Sequence, residues 1–246
     1  MFLSIVIPAR NEQDSLISTV ESLERADLPP HEIVVVDDHS SDRTWEAASA
    51  LAVRFPSVRP VRNEGAAGFG RAILAGFAQA RGDAVVPVMA DGCDEPETLR
   101  RMWERILAGA DVVCGSRYMR GGRKIGGPAA KTLFSRAFGH MMRWGTAIPT
   151  VDSTNAFKAY RRGWEPRSTR VAEGFSVSLE WVLEAWFAGA RVEEVPTTWR
   201  DRTAGASHFR MRSAVRSYGA VLGHALRRAL LGRLPGAPFD SRGPRA

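Results

Sequence analysis

The chain reads as a single α/β domain, a mostly parallel sheet flanked by helices, and three observations predict it. Short apolar runs rich in Val and Ile alternate with longer amphipathic stretches, a rhythm that specifies right-handed βαβ crossovers and a parallel sheet. Acidic clusters at Glu12, at Asp37-Asp38 and at Asp91 each fall at or just past the end of such a run, where open α/β sheets gather their ligands. A length of 246 residues with 44% hydrophobic composition is enough for one large core.

In order, Phe2 to Pro8 is predicted as a first strand, and Asn11-Glu12 opens a helix to about Ala26 with Leu16, Val20 and Leu23 at helical spacing. Glu32 to Val36 is a second strand, and Ser41 or Asp42 caps the helix Arg43 to Arg54. After a short strand at Val58 to Val61, the glycine-rich segment Asn63 to Arg71 leads into a helix from Ala72 to Arg81. The run Val85 to Val88 then breaks into Met89-Ala90-Asp91-Gly92-Cys93-Asp94-Glu95-Pro96. That pattern is a buried strand delivering carboxylates to a sheet edge, with Asp94 as cap of a helix begun by Pro96. The helix Glu97 to Ala108 and the strand Asp111 to Cys114 bring the chain to Gly115-Ser116-Arg117-Tyr118.

Beyond Tyr118 the rhythm changes. Four glycines and a proline between Gly121 and Pro128, interleaved with Arg120, Arg123 and Lys124, predict a mobile basic loop. A helix from Ala129 to about Trp144, a strand Ala156 to Tyr160, a helix Ser176 to Ala188 and a strand Arg191 to Val195 follow. Pro196 to Arg212 reads as a polar loop, Ser213 to about Leu231 as a final helix, and residues 233–246 as a disordered Pro/Gly/Arg tail. The domain is expected to span 1–232.

Lys and Arg number 34 against 27 Asp and Glu, a formal charge of +7 carried mostly by arginine, which suits phosphate recognition. Nucleic acid is not expected, because most tryptophans lie in apolar helical patterns and are not interleaved with the basic residues. Cys93 and Cys114, the two cysteines, give neither a disulfide framework nor a zinc spacing and fit a reducing cytosol. Met1 to Pro8 lacks a basic leader and reads as a strand, not a signal peptide. The 213–232 stretch is broken by Arg216, His224, Arg227 and Arg228, so it lies on a bilayer sooner than crosses one.

Three carboxylate clusters converging on one crevice repel one another unless a divalent cation or N–H donors compensate. Taken together, Ile5-Val6-Ile7-Pro8-Ala9-Arg10-Asn11-Glu12, Val34-Val35-Val36-Asp37-Asp38-His39-Ser40-Ser41-Asp42-Arg43-Thr44, Gly115-Ser116-Arg117-Tyr118 and Arg202-Thr203-Ala204-Gly205-Ala206-Ser207 resemble family 2 glycosyltransferases. Within that family they are most similar to polyprenyl-phosphate (dolichol-phosphate) mannose or glucose synthases, over Ile5 to about Phe209.

The resemblance implies a GT-A fold, a nucleotide-sugar half (1–117) and an acceptor half (118–232). It implies inverting transfer of mannose or glucose from a GDP- or UDP-sugar to an undecaprenyl or dolichyl monophosphate. Pro8, Arg10, Glu12 and Asp38 are then expected to line the nucleotide pocket, with Asp38 near the base. Asp91, Arg117 and Arg202 are the expected catalytic set, and Arg117, Lys131, Ser135 and Arg202 are expected to grip the acceptor phosphate and donor pyrophosphate. One departure stands out: Met89 occupies the first position of the usual Asp-X-Asp motif, leaving Ala90, Asp91 and Cys93 to meet a Mg²⁺ or Mn²⁺ ion, with Asp91 and Cys93 as the metal ligands.

Arg123, Lys124, Arg143, Arg227 and their like are read as surface charge facing an anionic membrane. The expected location is the cytoplasmic face, held peripherally, with room for a separate membrane partner protein. Two alternatives stay open. A hydroxyl acceptor would need a base, for which Asp94 or Asp152 is the candidate; a catalytically weak nucleotide-sugar or lipid-phosphate binding module would explain the missing first Asp.

Overall fold

The computed structural model describes residues 1–167, 174–201 and 211–230, the last helix with side chains from 217 to 228. Strand β1 (Leu3–Ala9) leads to α1 (Leu16–Arg25), β2 (His31–Asp37) to α2 (Thr44–Arg54), β3 (Val58–Arg62) to α3 (Phe69–Gln79) and β4 (Ala84–Pro87) to α4 (Thr98–Leu107). Then come β5 (Val112–Ser116), β6 (Arg123–Ile125), α5 (Ala129–Thr146), β7 (Lys158–Arg161), α6 (Val177–Phe187), β8 (Val192–Pro196), β9 (Thr198–Arg200) and α7 (Met211–Leu230).

The main sheet runs β3-β2-β1-β4-β7-β5-β8 and is parallel except for β7, which pairs antiparallel with both β4 and β5. It draws strands from both expected halves of the chain. β1 and β2 read as unbroken apolar runs because both of their faces are covered. Val6, Val34 and Val36 face a core with Ile73, Phe77 and Trp181, whereas Ile5, Ile7, Ile33 and Val35 face Leu16, Val20, Leu51 and Met102. Successive strand residues point to opposite faces, so one run serves two cores. Helix α3 rides so close to the sheet that a Cβ on Gly76 would stand 2.3 Å from Val6 Cγ1.

Several boundaries differ from expectation, each for a local reason. The first helix starts at Leu16, because Asn11 takes a left-handed φ of 55° and ends the strand in a turn. Helix α4 starts at Thr98, and Asp94 does not cap it; its carboxylate instead accepts from the Met89 amide at 3.4 Å. The segment expected as a mobile loop contains β6, which pairs in parallel with β9, Arg123 against Thr198 and Ile125 against Arg200. The polar stretch after Pro196 accordingly begins as a strand. The expected disordered tail, Arg202 and the 202–207 motif lie outside the described residues.

Candidate active site

The side of the site expected to hold the donor is a set of turns beyond the carboxyl ends of β1 and β2. Pro8 is buried at the end of β1 and Arg10 is exposed just after it. Asn11, whose short amide side chain tolerates the left-handed turn, accepts from the Ser41 amide at 2.8 Å and donates its own amide to Ser40 Oγ at 3.1 Å. Glu12 donates its amide to Thr44 Oγ1 at 2.9 Å and accepts from Ser15 Oγ at 2.7 Å. Asp42 takes the Thr44 amide at 3.0 Å from the turn before α2, whose N-cap position falls on Arg43 and not on the expected Ser41 or Asp42. These bonds tie the two turns into one wall.

Asp38 is buried and binds the glycine-rich segment from both oxygens, accepting from Asn63 Nδ2 at 2.7 Å and the Gly68 amide at 2.9 Å. Beside it Asp37, His39, Ser40, Arg62 and Asn63 line a hollow of about 330 Å³, with the Arg62 guanidinium 4.4 Å above the Trp45 ring. This is a polar, stackable recess of the kind a nucleoside needs.

Between the two sides sits the turn after β4. The Ala90 carbonyl is held by Thr19 Oγ1 of α1 at 2.8 Å, Gly92 turns the chain at a φ of 67°, and the Cys93 amide donates to Asp91 Oδ1 at 3.1 Å. Asp91 is half-buried at the mouth. Asp94 is buried behind it: burial first, then the Asp91 charge, push its pKa up to about 7 against the pull of the Met89 amide and Arg117.

Among the described residues no group of three His, Cys, Asp or Glu side chains is placed to hold a metal ion. The Cys93 thiol is buried and lies 4.0 Å from the Asp91 carbonyl, and a soft thiol suits a hard cation poorly. The residues therefore fit a cation that arrives with a diphosphate and needs one carboxylate, Asp91, rather than a resident ion in a protein cage.

The acceptor side is built from distant segments. Arg117, just past β5, donates from Nε and Nη2 to the two oxygens of Asp152 at 2.7 and 2.8 Å, and its amide adds a third bond at 2.9 Å. Asp152 is 0% exposed and the Arg117 side chain 11%. Burial alone would lower the arginine's pKa, but the Asp152 charge and hydrogen bonds outweigh it and hold the guanidinium protonated. This fork is the bidentate geometry that suits a carboxylate or a phosphate. Tyr118 stacks under Arg117 at 5.1 Å and under Arg136 at 5.8 Å, and its hydroxyl meets Ser135 Oγ at 2.6 Å.

Lys131 lies one turn before Ser135 on α5, and its carbonyl accepts from Ser135 Oγ at 3.0 Å. Lys124 Nζ reaches Thr132 Oγ1 at 2.6 Å and sits 5.1 Å over the Trp199 ring. Together Arg117, Tyr118, Gly122, Arg123, Lys124, Thr132 and Arg136 enclose a basic pocket of about 270 Å³. Burial, then the Arg117 charge, lowers the Lys124 pKa.

Lys124 and Arg123 thus both line the pocket, Lys124 half-buried and Arg123 still exposed as its loop-like context suggests. Lys158 was also not anticipated. It is buried in β7, donates to the carbonyls of Ser153 (3.0 Å) and Asn155, and so braces the turn that carries Asp152. Burial drops its pKa to about 8, against the pull of Cys114 and Asp152. A signal was there to find: in a basic set dominated by arginine, the chain's three lysines are 124, 131 and 158, and all three belong to this side.

With that geometry in hand, comparison with known proteins is decisive. A family profile described as Glycosyl transferase family 2 matches residues 4–165. The chain belongs to glycosyltransferase family 2. It is 33% identical over 215 residues to a dolichol-phosphate mannosyltransferase of Pyrococcus furiosus, covering 85% of this chain but 60% of the relative's length. It is 34% identical to the polyprenol monophosphomannose synthase of Mycolicibacterium smegmatis (82% of this chain, 79% of the relative). It is 32% identical to the undecaprenyl-phosphate mannosyltransferase of Micrococcus luteus (82% and 85%).

Among solved structures, glucosyl-3-phosphoglycerate synthase from Mycobacterium tuberculosis in complex with UDP superposes with a TM-score of 0.66 at 19% identity. The match covers 96% of this chain and 81% of that one. The same enzyme with Mn²⁺, UDP-glucose and phosphoglyceric acid gives 0.65 at 20% identity, covering 96% and 81%. Family 2 enzymes of this GT-A shape are nucleotide-sugar glycosyltransferases, and the fold of this chain is theirs.

Proposed function

We propose that this chain moves a hexose, mannose or glucose, from a GDP- or UDP-sugar to a polyprenyl monophosphate, inverting the anomeric carbon. The observation that carries the reading is the basic pocket of Arg117, Lys124 and Arg136, whose Lys124 lies over Trp199, the residue that bridges to Asp94 in the Asp91 turn. The pocket has room for a phosphate group and the cationic lining to hold one. The named relatives at 32–34% identity act on lipid-linked phosphates, and glycosyl transfer to a polyprenyl phosphate is the activity they support here.

A phosphate monoester is already largely anionic near neutral pH, with a second pKa of about 6, so the nucleophile needs no base. In this reading the pocket presents one phosphate oxygen in line with the sugar C1. The new C1–O bond forms as the bond to the departing nucleoside diphosphate breaks, and the electron pair leaves on that diphosphate. Arg117, fixed by Asp152, and Lys124 hold the acceptor and offset the negative charge gathered there. Arg202 and Ser135 are proposed to join them, and Asp38 to order the wall against which the base stacks. A Mg²⁺ or Mn²⁺ ion carried in by the donor would be met by Asp91 and would supply leaving-group neutralisation. The enzyme is proposed to work peripherally at the cytoplasmic membrane face.

The test is glycolipid formation from radiolabelled GDP-mannose or UDP-glucose with undecaprenyl phosphate, with and without Mg²⁺ or Mn²⁺. Product that requires the cation and disappears in Asp91→Ala is the expected result. Tight nucleotide-sugar binding without any lipid product would overturn the acceptor assignment.

A further inference from the structure

One surface of the acceptor side is left unaccounted for by the pocket and the core. Helix α5 packs inward through Phe134, Phe138 and Met142, whose rings and sulfur meet the core and Tyr218 of α7. Gly139 lets its backbone approach the turn that holds Asp152, since a Cβ there would lie 2.1 Å from the Val151 carbonyl. An adjoining flank, about 100° round the helix, carries Leu133 at 71% exposure, Met141 at 44% and Trp144 at 96%. With the exposed Ala137 these recur every three or four residues, which places them along one line of the helix. Large apolar side chains aligned in water are not the chance scatter of a normal surface.

The charge around that line names the occupant. Neither α5 nor the neighbouring α7 contains a single Asp or Glu, while Arg136, Arg143 and Arg227 are exposed along or beside it. Leu226 of α7 adds a further exposed apolar side chain next to Gly145. An apolar line with a tryptophan, on a pair of helices that carry arginines and no carboxylate, has the composition of a surface that lies in the headgroup region of an anionic bilayer. Thr132 and Arg136, the two α5 residues of the basic pocket, sit one position from Leu133 and Ala137, about 100° around the helix. A helix resting on lipid by its outer line therefore holds the pocket mouth beside the headgroup plane.

We infer that α5, through Leu133, Met141 and Trp144 with Arg143 and Arg227 at its border, docks this protein onto an anionic lipid surface. The inference deepens the acceptor reading by stating where the lipid phosphate is met, and it borrows from that reading only the purpose of the contact.

Flotation with vesicles of phosphatidylcholine, alone or mixed with phosphatidylglycerol, tests it on the full chain. Wild type is expected to float with the mixed vesicles, less so as salt rises, and to stay behind with phosphatidylcholine alone. Leu133→Ser with Trp144→Ser is expected to lower partitioning about tenfold or more, because two buried apolar anchors are lost. Arg143→Glu with Arg227→Glu is expected to remove the preference for the anionic lipid. Nucleotide-sugar binding, unchanged in both variants, shows that each is folded.

Wild type that ignores both vesicles, or variants that float as well as wild type, would overturn the docking. So would a concentration-dependent dimer that Leu133→Ser with Trp144→Ser dissolves, since the line would then be covered by a second copy. Vesicle binding without transfer to any polyprenyl phosphate would sink the acceptor reading and leave the docking standing. Transfer to a short, water-soluble polyprenyl phosphate without vesicle binding would do the reverse.

Discussion

The donor and acceptor sides of the site are held together by different kinds of bond. On the donor side, turns a few residues long lock onto one another through neutral side-chain-to-backbone bonds, as Asn11 does with Ser41 and Glu12 with Thr44. On the acceptor side, one buried ion pair, Arg117 with Asp152, and one buried lysine do the fixing. Neutral bonds in turns are individually modest and share the load. A buried charge pair is all-or-none, because removing one member strands the other in a poor solvent. The acceptor side is therefore the brittle half.

The largest expected effect follows directly. Asp152→Ala leaves the Arg117 guanidinium buried without its counter-charge and should cost about 3–5 kcal/mol of stability, read from urea denaturation. Adding Arg117→Met to that variant should restore part of the loss while leaving the enzyme inactive. If the single and double variants were equally unstable, the pair would not be the keystone of this half.

A smaller effect is expected on the donor side. Asp38→Ala deprives Asn63 Nδ2 and the Gly68 amide of their acceptor, a loss of about 1–3 kcal/mol. Nucleotide-sugar binding, measured by calorimetry, should weaken while vesicle binding is unchanged. An unaltered donor affinity would mean that the glycine-rich segment does not order the recess.

A further effect concerns pH. The Lys158 pKa falls from an ordinary 10.5 to about 8 in the folded chain, so between those values the unfolded chain binds more protons than the folded one. Stability contributed by this group therefore rises as pH climbs through that window and is flat below it. Lys158→Met should flatten this part of the wild-type stability curve in denaturant titrations from pH 7 to 10. Parallel curves for the two proteins would assign the rise to other groups.

The same contrast explains what the sequence made legible. Strands β1, β2 and β4 and the turns behind them announce themselves, since apolar runs ending in Asn11-Glu12 or Asp37-Asp38 follow from local rules of burial and turn chemistry. Glu12, Asp38 and Asp91 could be singled out from their own neighbourhoods, and Pro8 only through the family resemblance. The partnership of Arg117 with Asp152 spans 35 residues, and no local pattern encodes it. The pairing of β6 with β9 is hidden further still, because Arg123–Ile125 is flanked by the glycines that normally mark a loop. Arg123 and Lys124 read as surface charge, and only the pairing of β6 with β9 and the approach of α5 show that they line a pocket with Arg136.

That small second sheet has a consequence for how the protein comes to exist. The Arg200 amide donates to the Cys93 carbonyl, and Asp94 bridges to Trp199, so the turn bearing Asp91 is completed only by a strand more than a hundred residues later. Closing so long a loop is entropically slow and must precede any reward from the contacts it makes. On a ribosome, the first four strands and the nucleoside recess emerge well before β9 does. The growing chain passes through a stage in which its first four strands are made but the Asp91 turn is unfinished, and β9 is the strand that completes that turn.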